Sequence, residues 1–500
     1  MKKLTIGLLP FYVKLYDDYW PELRGRVEAF YHTITSEFEK RGLEVIASPV
    51  CSIKPEFEVA VQLFEREEAD TIVTLHLAYS PSLESADTLA ATRLPLIVLD
   101  TTPTFDFGTE QLPDEIMYNH GIHGVQDMCN LLLRNGKQFH IEAGHWAESD
   151  VLDRVVDGVK AVRLARELRS ARVGVIGQPF TGMGDFQVPV DVLYSSIGIE
   201  TIASNLLIAD AAADPIPDEW IEREIAEDAQ RYDVDGIDRD TMRQSIRSDL
   251  TVRRWIDRNE LTAFTVNFLD VRRGSGLPSM PFLEASKAMA RGVGYAGEGD
   301  TLTAALTGAL LSVYPDSSFT EMFCPDWKHN RIFLSHMGEM NVRLAAGRPV
   351  LKEKAFPFAD ADTPVAAYGC FRGGQAVYLN LAPGREGEYT FILAPIEMCE
   401  PDGEDRMTDA IRGWFRPPVP IEAFLAQYSQ LGGTHHGVIV YGDVMNVLKR
   451  FGEVMKWRTV IIGQQILQYS ADDHRLASNQ TSIGERQDKP IVVEENQKVV

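Results

Sequence analysis

Apolar residues in the first third of the chain come in short runs, separated by longer stretches in which they recur every three or four positions. Residues 4–9, 43–49, 71–77 and 96–99 are runs rich in Ile, Val and Leu, the pattern of strands buried on both faces. Between them, the apolar positions of 21–41 and 56–68 fall at helical spacing. This rhythm predicts parallel strands joined by crossover helices. Ligands of such sheets bind at the carboxyl ends of the strands, which points to His76 and the turn Thr101-Thr102-Pro103. A second unit of the same kind starts with a strand over 171–177. It continues through 199–203, a charged helical stretch over 218–258 and a strand over 263–268. After Tyr314 the runs at 331–334, 365–371, 376–381 and 389–393 are separated by Gly/Pro turns rather than helices, with helices returning at 421–430 and 444–456. The expected fold class is therefore α/β: two doubly wound parallel-sheet domains, 1–170 and 171–316, followed by a mainly antiparallel, barrel-like C-terminal domain, 317–500. The last ~25 residues are polar and are assigned no element.

At 500 residues, several cores are required. Forty-nine Lys and Arg against 73 Asp and Glu give a net charge of -24, which disfavours phosphate backbones and anionic membranes as partners and leaves a neutral small molecule or a cation. The five cysteines are scattered, with no C-x-x-C pair, so neither a disulfide framework nor a zinc ribbon is indicated. The basic start is followed by an apolar stretch too short for a signal peptide and broken by Pro10 and Lys14, and no run approaches the ~20 residues that span a bilayer. A cytoplasmic location is expected.

Candidate chemistry lies in four places. Glu298 sits in the glycine-rich turn Gly294-Tyr-Ala-Gly-Glu-Gly-Asp300 before the helical stretch 301–313, and Glu321 ends Ser-Phe-Thr-Glu where the fold changes. His336 closes an apolar run, and His435 and His436 form a pair inside a glycine turn before the strand 438–441. Neighbours in an extended turn point to opposite sides, so these two should differ in role. Alone, each histidine is better read as structural, and Glu298 as an exposed acid in a turn. Together, two carboxylates and two imidazoles suit Mn²⁺, Co²⁺ or Mg²⁺, but their spacing forms no sequential motif and only a fold can assemble them. A nicotinamide reading lacks its G-x-G-x-x-G at both 177–184 and 294–300. A fifth feature, Asn119-His-Gly-Ile-His123-Gly, puts His120 and His123 on one helix face; the alternative is a helix capped by Asn119 with a buried histidine.

The motifs around Glu298, Glu321, His336 and His436, in that order, resemble the metal-site motifs of L-arabinose isomerases, and the likeness runs from the first strand to about residue 465. The resemblance implies a metal-dependent aldose–ketose isomerase, with those four residues as ligands of Mn²⁺ (or Co²⁺/Mg²⁺) and with Glu298 and Glu321 also acting as acid and base through an enediol. It assigns the metal to His436 rather than His435. It further implies sugar contacts from His123, Phe268, Tyr12 and Met183, and homo-trimers or hexamers with active sites at subunit boundaries. Two departures are visible. The segment from Leu9 to Tyr16 replaces the family's usual glutamine-bearing loop, and the segment from Phe264 to Phe268 keeps its aromatic without the usual acid after it. Both leave the identity of the sugar open between a pentose, a hexose and a deoxy sugar. A sugar-binding or regulatory protein on the same scaffold is the competing reading, but it would have little use for all four ligands.

Overall fold

The computed structural model describes residues 3–204, 214–401 and 403–463. The first parallel sheet contains β1 (Thr5–Phe11), β2 (Glu44–Ala47), β3 (Thr71–His76), β4 (Leu96–Asp100) and β5 (His140–Ala143), in the order β2-β1-β3-β4-β5. Side-chain alternation divides its residues between two cores. Val73, Leu75, Ile97 and Leu99 face the helices Glu22–Lys40 and Val151–Arg169, whereas Ile72, Leu96 and Val98 face Lys54–Arg66 and Gly121–Arg134. Each such buried side chain contributes about 1.5–3 kcal/mol. Pro10 marks an end to the first apolar run in the sequence, yet β1 continues to Phe11. A proline there is tolerated because it lies beyond Leu8↔Ala47, the last rung shared with β2.

The second parallel sheet is built from β6 (Arg172–Ile176), β7 (Glu200–Ala203), β9 (Ala263–Val266) and β10 (Gly294–Gly297), ordered β10-β9-β6-β7. The charged stretch expected as one helix is two, Asp218–Arg231 and Arg239–Arg258. Between them β8 (Asp233–Val234) uses its backbone to pair with β13 (Val350–Glu353), and Asp238 caps the second helix by accepting from Asp240 N and Thr241 N.

The remaining strands are β11 (Ser317–Asp326), β12 (Arg331–Ser335), β14 (Val365–Tyr368), β15 (Gly374–Pro383), β16 (Tyr389–Cys399), β17 (Gly413–Arg416), β18 (His436–Tyr441) and β19 (Arg458–Ile461). The order β15-β18-β11-β12-β17-β16 closes through β15–β16 pairing into an antiparallel barrel, and β19 joins β16 in parallel. A small sheet, β14-β13-β8, lies apart from it. The helix Thr301–Val313 is buried on nearly every side and packs against both the second sheet and the barrel strands β11, β15 and β18. It therefore brings the carboxyl end of β10 to the barrel. Among the described residues no helix is long and apolar enough to cross a membrane.

Candidate metal centre

All four residues of β10 are buried, and the chain then turns sharply: Glu298 has φ 63° and Gly299 φ 88°. A left-handed glutamate costs about 1–2 kcal/mol and persists only where its surroundings enforce it. Here Glu298 N donates to Val266 O at 2.8 Å, Gly299 N to Thr265 Oγ1 at 3.0 Å, and Phe180 N to Glu298 O at 2.9 Å. Asp300 then caps the following helix through Thr303 N at 2.9 Å. Gly297 has to lack a side chain, because a Cβ there would stand 2.6 Å from the His336 ring.

Barrel register supplies the other three residues. Glu321 on β11 pairs with Ser335, the neighbour of His336, on one side and with His436 on the other. Strands far apart in sequence thus meet on one rung. His336 Nδ1 lies 2.7 Å from Glu339 Oε2, and His436 Nδ1 lies 2.9 Å from Asp300 Oδ2. Carboxylates only accept, so each Nδ1 carries a hydrogen, and in the neutral form of either ring Nε2 is the nitrogen that keeps a lone pair. Glu321, His336 and His436 offer atoms within 4.8 Å of one another, as do Glu298, His435 and His436. His436 Nε2 stands 3.6 Å from Glu298 Oε2, and both atoms are buried without a hydrogen-bond partner. Phe319 packs edge-on against both ligand-like rings, and Phe186 stacks on His436 at 5.1 Å.

The two carboxyl groups are pushed in opposite directions. Burial raises Glu321. Burial also acts on Glu298, but contact with His435 and the nearby charges of His336 and His436 outweigh it and hold the group below its ordinary value. Burial would lower His336, yet Glu339 keeps it above normal. For His435 the carboxylates of Glu298 and Asp185 outweigh burial and raise the ring to about 9.

A family model for the L-arabinose isomerase central domain matches residues 195–314, and one for the L-arabinose isomerase C-terminal domain matches residues 316–458, together more than half of the chain. The chain belongs to the L-arabinose isomerase family. It is accordingly an enzyme of the sugar-isomerase type, an intramolecular oxidoreductase acting between aldose and ketose. L-arabinose isomerase of Geobacillus thermodenitrificans is 23% identical over 472 residues, covering 89% of this chain and 92% of its own. The enzyme of Nocardioides sp. is 25% identical over 424 residues, covering 80% and 83%. Among solved structures, a periplasmic solute binding protein from Actinobacillus succinogenes with bound D-allose aligns at a TM-score of 0.17 and 12% identity, over 62% of this chain and 92% of that one, too slight a likeness to carry any argument.

The residues that resemblance to L-arabinose isomerases marks as sugar contacts fall into two groups. Met183 and Phe268 belong to the shell of the Glu298 turn. Met183 N donates to Phe180 O at 3.3 Å, and the Phe268 and Phe180 rings are 5.3 Å apart. Tyr12 and His123 lie at the carboxyl end of the first sheet. Tyr12 is buried against Tyr16, whose hydroxyl is 2.9 Å from His120 Nε2, and the exposed His123 packs on His120 and Tyr79. The His120 and His123 rings lie 5.6 Å apart, but His120 precedes the helix Gly121–Arg134 as its N-cap residue, and Asn119 does not cap that helix. Its side chain accepts from Thr104 N and donates to Glu115 O, fixing the preceding loop instead. His145 has a turn-forming role, accepting from Ala147 N and Glu148 N.

Strand alternation misdirects His435. A bend interrupts the chain just before β18, so both rings lie on the same side, 4.3 Å apart, and His435 Nε2 stands 3.5 Å from Glu298 Oε2. The carboxylates behind the imidazoles, Glu339, Asp300 and Asp185, come to light only in the structure. The first two carried a local signal, an acid three residues after His336 and an acid at a helix start. Asp185 carried none.

Proposed function

We propose that the protein interconverts the aldose and ketose forms of a free sugar, L-arabinose and L-ribulose or a related pentose, hexose or deoxy sugar, through an enediol, with a divalent cation of the Mn²⁺ type (or Co²⁺/Mg²⁺). Glu298, Glu321, His336 and His436 would hold the cation. One observation carries this reading: the facing Oε2 of Glu298 and Nε2 of His436 are buried without a hydrogen bond, 3.6 Å apart and with His435 Nε2 at 3.5 Å from the carboxylate, a costly arrangement for a protein that places no ion there. The donor set of two carboxylates and two imidazoles fits such a cation. When bound, the cation supplies positive charge that offsets the negative charge developing on the sugar oxygens.

The protein's own groups do the rest. One of the Glu298 and Glu321 carboxylates takes the proton from C2 and returns it to C1, while the other moves a proton between the hydroxyl oxygens; such groups contribute ~10²–10⁴-fold each. Phe268 and Met183 wall the pocket and exclude water. His123 and Tyr12 orient the far end of the sugar. They reach it because the protein is a homo-trimer or hexamer, in which the first-sheet end of one copy faces the Glu298 turn of another. Supporting this, Leu15, Tyr19, Phe105, Leu112 and Ile116 are exposed, and Tyr12 Oη, Ser80 Oγ and His120 Nδ1 are buried without partners. The acidity argues against nucleic acid or membrane partners, and we place the enzyme in the cytoplasm. We also propose domain limits at 170/171 and 316/317; the second is supported by the boundary between the matched family models.

The test is metal analysis of the purified protein followed by ketose formation from a panel of pentoses, hexoses and deoxy sugars with added Mn²⁺. Turnover of at least one sugar that chelation abolishes is expected. A protein that isomerises none of them with Mn²⁺, Co²⁺ or Mg²⁺ contradicts the reading.

A further inference from the structure

The segment leaving the carboxyl end of β6 grips the Glu298 turn at three points. Phe180 N donates to Glu298 O at 2.9 Å. Gly299 passes so close to Pro179 that a Cβ would stand 2.6 Å from its Cα. The third contact runs through a side chain. Asp185 Oδ2 accepts from His435 N at 2.9 Å and lies 2.7 Å from His435 Nδ1, while His435 Nε2 reaches to 3.5 Å from Glu298 Oε2. Because the carboxylate of Asp185 only accepts, it fixes the rotation of the ring and aims Nε2 at Glu298. Phe186 at 5.5 Å and His436 at 4.3 Å flank the same ring.

Three imidazoles therefore stand round Glu298 or beside it, each with Nδ1 on a carboxylate. They are not equivalent. The side chains of His336 and His436 are 2% and 0% exposed, and their carboxylates, Glu339 and Asp300, are buried. His435 is 30% exposed and Asp185 38%. The third pair sits where the centre opens, and its acid comes from a loop rather than from the framework.

We infer that Asp185 and His435 are positioning residues for Glu298, by which the loop after β6 sets the carboxylate of Glu298 from the side while Phe180 sets its backbone. This rests on the reading of Glu298 as a ligand and acid–base group. His435 acts through Glu298 and is not itself a ligand. Asp185 acts through His435, so the two belong to one chain of contacts rather than two independent supports.

The experiment compares wild-type protein with Asp185→Asn, His435→Gln, the double variant and His436→Gln. Each metal-free protein is titrated with Mn²⁺ without sugar, and kcat and KM are then measured with the best sugar of the panel. Outer partners of this kind change metal affinity or activity by ~10–100-fold. Asp185→Asn and His435→Gln should each weaken Mn²⁺ binding to a similar extent in that range, and the double variant should be no weaker than either, since both remove one linkage. The loss in kcat should exceed the change in KM. Mn²⁺ binding unchanged in Asp185→Asn, or additive losses in the double variant, overturns the inference and leaves the isomerase reading standing. So does a loss in His435→Gln as large as that in His436→Gln, which would make His435 a ligand. Wild-type protein that neither binds Mn²⁺ nor isomerises any sugar overturns the reading and the inference with it.

Discussion

Replacing Asp300 with Asn separates the metal-site task that the proposed function gives this carboxylate from its structural task. Asp300 is fully buried, and its two oxygens are committed to different partners. Oδ1 accepts from Thr303 N at 2.9 Å and caps the helix Thr301–Val313, and Oδ2 lies 2.9 Å from His436 Nδ1. Asparagine keeps an oxygen for the cap, so the loss of about 1 kcal/mol that follows removal of a cap is avoided. At the other position its amide can only donate. Two donors then oppose each other unless the imidazole shifts its hydrogen to Nε2, the nitrogen that faces Glu298. Removing an outer carboxylate of this kind lowers metal affinity by ~10–100-fold, about 1.4–2.7 kcal/mol. Asp300→Ala loses the cap as well, and should also destabilise the metal-free protein by about 1 kcal/mol or more. The assay is calorimetric titration of the metal-free proteins with Mn²⁺, alongside urea unfolding without metal. Asp300→Asn should unfold within about 0.5 kcal/mol of wild type yet bind Mn²⁺ at least ~10-fold more weakly. Wild-type affinity in Asp300→Asn would refute the claim that Asp300 sets the tautomer of His436.

Gly297→Ala should cut Mn²⁺ affinity by ~10-fold or more, because the added methyl would press on the His336 ring at 2.6 Å; unchanged binding in the same titration contradicts the packing described. Glu298→Gln and Glu321→Gln should each abolish isomerisation, and excess Mn²⁺ that restores binding without turnover isolates the acid–base part; full recovery of turnover reduces that glutamate to a ligand. Glu224, held by Arg253 and Lys287 against the opposing effect of burial, is lowered from 4.5 to about 2. A depressed carboxyl stabilises the fold fully above pH ~4.5 and loses that contribution as pH falls towards ~2, an effect of roughly 3 kcal/mol. Urea midpoints between pH 6 and 3 should therefore fall more steeply in wild type than in Glu224→Gln, and parallel curves would contradict it. Because the resemblance implies that the segment from Leu9 to Tyr16 replaces the family's usual glutamine-bearing loop, kcat/KM should be higher for another pentose, hexose or deoxy sugar than for L-arabinose, since a site built to pair a hydroxyl rejects its absence by ~10⁴-fold or more; L-arabinose outranking every sugar tested would sink this.

The parallel sheets were legible because strands such as Thr71–His76 are apolar throughout and bounded by helical periodicity. β11 was not, since three of its four buried residues, Ser317, Ser318 and Thr320 beside Phe319, are small hydroxyls rather than apolar side chains. β19 escaped because it joins β16 only through distant pairing. At the candidate site, Glu298, Glu321, His336 and His436 stand out through motif resemblance, whereas the approach of Glu321, His336 and His436 depends on the rung Ser335–Glu321–His436, which no local pattern encodes. The bend at His435 overturns the premise of opposite sides, which rested on ideal alternation, and not the expected difference in role between His435 and His436. Asp185 lies 250 positions from the histidine it holds, beyond the reach of any spacing argument.

Anomalous diffraction at the manganese edge from Mn²⁺-loaded crystals tests the central claim most directly. One peak is expected roughly 2.0–2.3 Å from a carboxylate oxygen of Glu298, a carboxylate oxygen of Glu321, His336 Nε2 and His436 Nε2. A peak that leaves any of these four outside coordination distance, or no peak at saturating Mn²⁺, would contradict the account.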